Sequence, residues 1–120
     1  MSDKRVFIYN NIAGAERVMP NGGKMLSRQL IERGSPLSPQ SSFIASGVNA
    51  LLPGAAIEWH IHPEDEEVYI IISGTGEYYD NSKTAYTVGC GDVAFCLKGE
   101  GHGLKNTGTE PLLFGAAIAR

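Results

Sequence analysis

The segment from Pro53 to Gly74 reads PGAAIEWHIHPEDEEVYIIISG. Pro53-Gly54 marks a turn. Ala56–His62 and Glu67–Ser73 are runs of strand length, bounded by turn formers and rich in β-branched and aromatic residues. His60 and His62 are one residue apart. Side chains alternate across a strand, so both imidazoles leave the same face, with Cα atoms about 6.6 Å apart, close enough to converge on one ion. Pro63 favours an extended residue before it, as the end of a ligand-bearing strand requires. Glu67 lies seven positions beyond His60, an odd separation that would point it away on one straight strand. Pro63–Glu66 must therefore turn the chain and let Glu67 return on a neighbouring strand.

The same rhythm of short runs and turns extends in both directions. Downstream come Gly76–Asp80, Thr84–Val88, Val93–Leu97, Gly103–Asn106 and Leu112–Ala119. Upstream are Ser42–Leu52, read as broken or bulged at Gly47, and Lys24–Glu32, with a Gly34–Gln40 loop between them. Asn21-Gly22-Gly23 reads as a turn and Val6–Tyr9 as a short strand. A weak turn near Ala13–Met19 is the one helix candidate. Fifteen glycines and six prolines in 120 residues disfavour a helical bundle, and strands this short and regular indicate an all-β sandwich or barrel. The length suits one domain over residues 1–120, with lead-in strands and loops over 1–40.

Composition narrows the function classes. Apolar residues make up 42% and charged residues 19%, an ordinary globular mix. A net charge of −3 speaks against nucleic acid, because phosphate binding needs a basic surface. No apolar run reaches the roughly 18–20 residues of a membrane span. Val6–Tyr9 is too short for a signal-peptide core, which makes a cytoplasmic location the expectation. Cys90 and Cys96, with five residues between them, match neither a zinc ribbon nor a CxxC pair. Two reduced thiols are expected, with Cys96 in the core.

His102 stands in Gly99-Glu100-Gly101-His102-Gly103, where glycines permit sharp turns and close approach. Three neutral imidazoles and one carboxylate suit a divalent transition metal such as Mn, Fe, Co, Ni or Zn. Glu64 and Asp65 read as a solvated turn. Glu66 competes with Glu67 for the carboxylate position.

These residues resemble the two motifs of the cupin superfamily. The first motif is a glycine, five residues, HxH, three or four residues, glutamate, six residues and a glycine. It is matched by Gly54, His60, His62, Glu67 and Gly74. The second is matched by Gly91, Gly99, His102 and Asn106, with Leu97 where the family usually has proline. Glu67 is preferred to Glu66 because six residues separate it from Gly74. The resemblance spans residues 54–106 and is that of a small single-domain cupin. It implies a double-stranded β-helix, or jelly-roll barrel, whose His60, His62, Glu67 and His102 hold one divalent metal ion.

Further expectations follow from strand alternation. With His60 and His62 inward, Ala56 and Glu58 point inward, and Ile57, Trp59 and Ile61 form an outer apolar stripe. That stripe needs cover, and a homodimer is expected from it. Tyr69 and Ile71 point inward with Glu67, and Tyr69 is the candidate catalytic group. Phe95 and Phe114 read as barrel wall. Arg28 is the candidate for binding a substrate carboxylate through a bidentate contact. The implied function is a metal-dependent enzyme acting on a small oxygenated substrate: a carboxylate, keto acid or sugar derivative. A non-enzymatic small-molecule or metal-binding module is the alternative.

Overall fold

In the computed structural model, the described residues are 15–20, 23–31, 33–34 and 38–120. They form ten strands: β1 (Ala15–Val18), β2 (Lys24–Ile31), β3 (Phe43–Leu51), β4 (Ala56–Ile61), β5 (Glu66–Ser73), β6 (Gly76–Tyr79), β7 (Ala85–Val88), β8 (Val93–Cys96), β9 (Gly101–Asn106) and β10 (Leu112–Ala119). One 3-10 turn, Ser38–Gln40, precedes β3. The Val6–Tyr9 run lies outside the described residues. The segment expected to carry a helical turn is instead β1, paired antiparallel with β2 from Ala15↔Ser27 to Val18↔Lys24. Cross-strand hydrogen bonding outweighs the weak local propensity of four residues.

Two antiparallel sheets result, ordered β1-β2-β3-β10-β5-β8 and β4-β9-β6-β7. They close on one another as a double-stranded β-helix. On β5, Glu67, Tyr69 and Ile71 are buried while Ile70 and Ile72 are exposed, the period-two pattern of a strand with one face on a core. Leu51, Leu104, Leu112 and Phe114 are fully buried and fill one end of the barrel. There Asn106 Nδ2 donates to the carbonyls of Leu51 and Glu110, both at 2.8 Å.

Two glycines show why the turns and pairings fall where they do. Gly74 has φ +92°, and a Cβ there would lie 2.6 Å from the Pro111 carbonyl oxygen, so only glycine fits between β5 and β6. Gly47 does not break β3, which runs unbroken through it. The irregularity lies on β2, between Gln29 and Ile31, opposite Gly47 and Ser46. Gly47 is small because a Cβ would meet the Arg28 carbonyl oxygen at 2.1 Å.

Candidate metal centre

The HxH strand does not alternate as a straight strand would. On β4 and β9, Ile57 pairs with Leu104 and His60 with His102. Three steps on β4 therefore oppose two on β9, and the extra residue shifts the parity of the strand. Ile57 consequently lines the cavity with His60 and His62, whereas Glu58 is exposed. Trp59 is half-buried. Its Nε1 donates to the Asp80 carbonyl at 3.0 Å, and Lys83 Nζ sits 4.5 Å above its ring. Of the expected outer stripe, only Ile61 is a largely exposed side chain.

His60, His62, Glu67 and His102 present ligand atoms that all lie within 4.8 Å of one another. His62 Nε2 is 3.1 Å from His60 Nε2 and 3.1 Å from His102 Nε2. Glu67 Oε1 is 3.2 Å from His62 Nε2 and 3.0 Å from His102 Nε2. Two ligands about 2.1 Å from one ion and at right angles would be about 3.0 Å apart, so the spacing fits a divalent ion. Glu66 is not part of the group.

Partners on the far side of each ring set its tautomer. His60 Nδ1 faces the Glu58 carbonyl oxygen at 2.7 Å. His62 Nδ1 faces the Asp65 carboxylate at 2.6 Å. Both partners only accept, so both Nδ1 atoms carry the proton and donate it. His102 Nδ1 lies 3.0 Å from the Tyr78 hydroxyl, which can accept in the same way. With the proton on Nδ1, a ring aims a bare Nε2 lone pair at the shared point, beside a carboxylate oxygen. Four electron-rich atoms facing each other in a buried space repel unless a cation lies between them. Burial also holds the His60 imidazole below its ordinary pKa of 6.5, against the opposing pull of the Glu58 carbonyl, which favours the neutral form a metal needs.

Asp65 also departs from its expected place. It is 7% exposed, not part of a solvated turn. Besides His62, it accepts from Arg33 Nη2 at 3.1 Å. Burial pushes its carboxyl up, but the hydrogen bonds from His62 and Arg33 bring it below the ordinary 3.8. Its place three residues after His62 is the one sequence signal that could have marked it.

Beside the cluster lies a cavity of about 630 Å³. Tyr69 lines it, stacked on the His102 ring at a 4.8 Å centroid separation and edge-on to Phe114. Burial raises the Tyr69 phenol well above 10, and the charge of Glu67 adds to this. The hydroxyl therefore keeps its proton and can donate. Arg28 is not among the lining residues. Its neighbours Ser27 and Gln29 point into the cavity, and alternation sends Arg28 to the other face. The lining cation is Arg33. Of the two expected wall phenylalanines, Phe114 is fully buried and Phe95 is exposed on the outer face of the larger sheet. Cys90 and Cys96 are both free thiols, Cys96 buried and Cys90 exposed.

A cupin domain family model matches residues 47–118. Among curated proteins, the oxalate-binding protein of Thermotoga maritima is 40% identical over 68 residues, covering 57% of this chain and 55% of that protein. Oxalate decarboxylase OxdC of Bacillus subtilis is 35% identical over 78 residues, covering 62% of this chain and 20% of that protein. The chain thus spans about half the length of the first relative and a fifth of the second. A crystal structure of a predicted oxalate decarboxylase from Thermotoga maritima superposes with a TM-score of 0.83 at 27% identity, covering 96% of this chain and 98% of that one.

Proposed function

The chain belongs to the cupin domain family, and from that premise we propose that it binds one divalent transition metal through His60, His62, Glu67 and His102 and takes a small carboxylate beside it. The convergence of three Nε2 lone pairs and Glu67 Oε1 carries this reading. When bound, such an ion polarises a ligating oxygen and lowers the pKa of a coordinated water. The chain's own groups supply the rest. Tyr69 offers a phenol that holds its proton near the cluster. Asp65 orients His62 and tethers Arg33, whose guanidinium is the cation available to an entering anion. Ile57 and Phe114 give the cavity apolar walls that restrict water. The reaction we favour is enzymatic, on a carboxylate, keto acid or sugar derivative. Non-enzymatic ligand binding is the second reading, favoured by the relative named as oxalate-binding.

Purification without chelators, metal analysis and mass spectrometry of any co-purified ligand test the site. Metal at about one ion per chain is expected, and a protein that takes up no divalent ion defeats the proposal. Incubating the metal-loaded protein with carboxylates then separates the two readings. Altered ligand supports the enzyme, and ligand recovered unchanged supports the binding module.

The homodimer belongs to this proposal, on a different face from the one expected. Ile70, Ile72, Val93, Phe95 and Leu97 are all exposed on β5, β8 and the residue after it. Val68↔Phe95 and Ile70↔Val93 are cross-strand neighbours, which makes this a contiguous apolar patch of the kind that marks an interface. Light scattering should give twice the monomer mass of 12.9 kDa. A Phe95→Glu variant should halve it, and a wild-type monomer would remove the dimer from the proposal.

A further inference from the structure

The cavity has a second polar group, away from the metal cluster. Ser27 on β2 and Asn49 on β3 are 7% and 5% exposed. Ser27 Oγ donates to Asn49 Oδ1 at 2.6 Å, and Gln29 Nε2 approaches the same oxygen at 3.5 Å. All three line the cavity. The register pairs Ser27 with Asn49 and Asn49 with Phe114, so this polar row ends on an apolar ring. Met19, Met25 and Ile57 also line the cavity. The Ser27–Asn49 hydrogen bond offsets the cost of burying those two atoms, and the row still lines the cavity with polar side chains. Together the three side chains offer one hydroxyl and two carboxamides, groups that both donate and accept.

Its distance from the cluster sets the length of a ligand that uses both. Glu67 is on β5. Asn49 lies two strands away across β10, and Gln29 three away. Strand spacing puts them about 10 and 14 Å across the sheet, and the register sets Asn49 level with Ile71 and Gln29 level with Tyr69, four and two residues along β5 from Glu67, so each stands about 16 Å from it along the sheet. Oxalate, with two carboxylates on adjacent carbons, cannot ligate the ion and reach this row. A cavity of about 630 Å³ also holds far more than its six non-hydrogen atoms. The charge pattern says what the far end of the ligand is. Among the described residues lining the cavity, Arg33 is the sole cation, and it is held by Asp65 behind His62. Neutral hydroxyls suit the row better than a second carboxylate.

We infer that the ligand of this cavity is a five- or six-carbon hydroxycarboxylate, its carboxylate at the metal cluster and its hydroxyls hydrogen-bonded by Ser27, Gln29 and Asn49. The inference rests on the metal-plus-carboxylate reading above and names its substrate class. Titration calorimetry on the Mn²⁺-loaded protein compares oxalate with ribonate and gluconate. The aldonates should bind at least tenfold more tightly than oxalate. Asn49→Leu and Gln29→Leu should each weaken aldonate binding at least fivefold and leave oxalate within twofold. Metal content reports whether each variant is folded, and Gln29→Leu, at a half-buried position, keeps the test open if Asn49→Leu is not. Oxalate binding as tightly as the aldonates, or an equal loss of both ligands in Gln29→Leu, overturns the inference and leaves the carboxylate reading standing. A metal-loaded protein that binds none of the three overturns both.

Discussion

The two ends of the barrel share β9 and treat buried polarity in opposite ways. β9 carries His102 at one end and Asn106 at the other, each 1% exposed. Around Asn106 the chain satisfies itself. The side-chain nitrogen donates to Leu51 and Glu110, and the Gly108 amide donates to the side-chain oxygen. Leu51, Leu104 and Leu112 close the space around it. Around His102 the chain leaves four acceptors facing one another. The closed end is finished by protein atoms, whereas the open end is arranged for a group the polypeptide does not contain. Buried polarity at the first end contributes to the fold, and at the second it is held in place by the fold for a ligand.

The contrast can be broken most directly at His102. His102→Ala should lower metal affinity by more than the roughly 10–100-fold typical of losing a group that supports a metal ligand, measured by metal content after dialysis. Retention of the ion would mean that the cluster is an ordinary buried polar group. Leu112→Ala, at the closed end, should cost about 2–5 kcal/mol in chemical denaturation. Metal stoichiometry of the folded fraction should not change, and a parallel loss of metal would show that the two ends are not independent.

Asp65→Asn sharpens the comparison from the open end. The variant should bind metal about 10–100-fold more weakly. It should also lose stability at neutral pH in the metal-free protein. Because the folded-state pKa of Asp65 is depressed, its contribution is present above the ordinary 3.8 and lost as pH falls through the folded value. The stability gap between wild type and variant should therefore close in acid, and a gap independent of pH would assign the effect to packing. The smallest effect concerns thiols. Burial pushes the Cys96 thiol up to about 11, so mild alkylation at pH 8 should add one label, at Cys90. Two labels would mean that β8 opens beside Glu67.

Much of the barrel was legible because its cues are local. Strand runs such as Leu112–Ala119 announce themselves by composition and flanking turns. The misread side-chain directions on β2 and β4 arose from long-range pairing. Strand alternation assumes a straight strand, and the extra residue between Ile57 and His60 is visible only in the pairing with β9. It inverted the expected directions of Ile57 and Glu58. Arg28 lost its expected place for another reason, since which face of β2 looks inward depends on its pairing with β3 rather than on its own residues.

By itself the sequence determined two donor-bearing motifs, and their resemblance to the cupin pattern implied that the four donors meet. Their spacing within two motifs is a local property, and the turns at Gly54, Gly74 and Gly99 follow from residues that tolerate positive φ. Only the tertiary structure decided what stands behind and across from those donors. Tyr78 reaches His102 over 24 positions, Arg33 reaches Asp65 over 32, and Ser27 meets Asn49 over 22. Sheet pairing joins residues that no spacing rule connects, and hydrogen bonds at those junctions fix the tautomers, the tether and the polar wall.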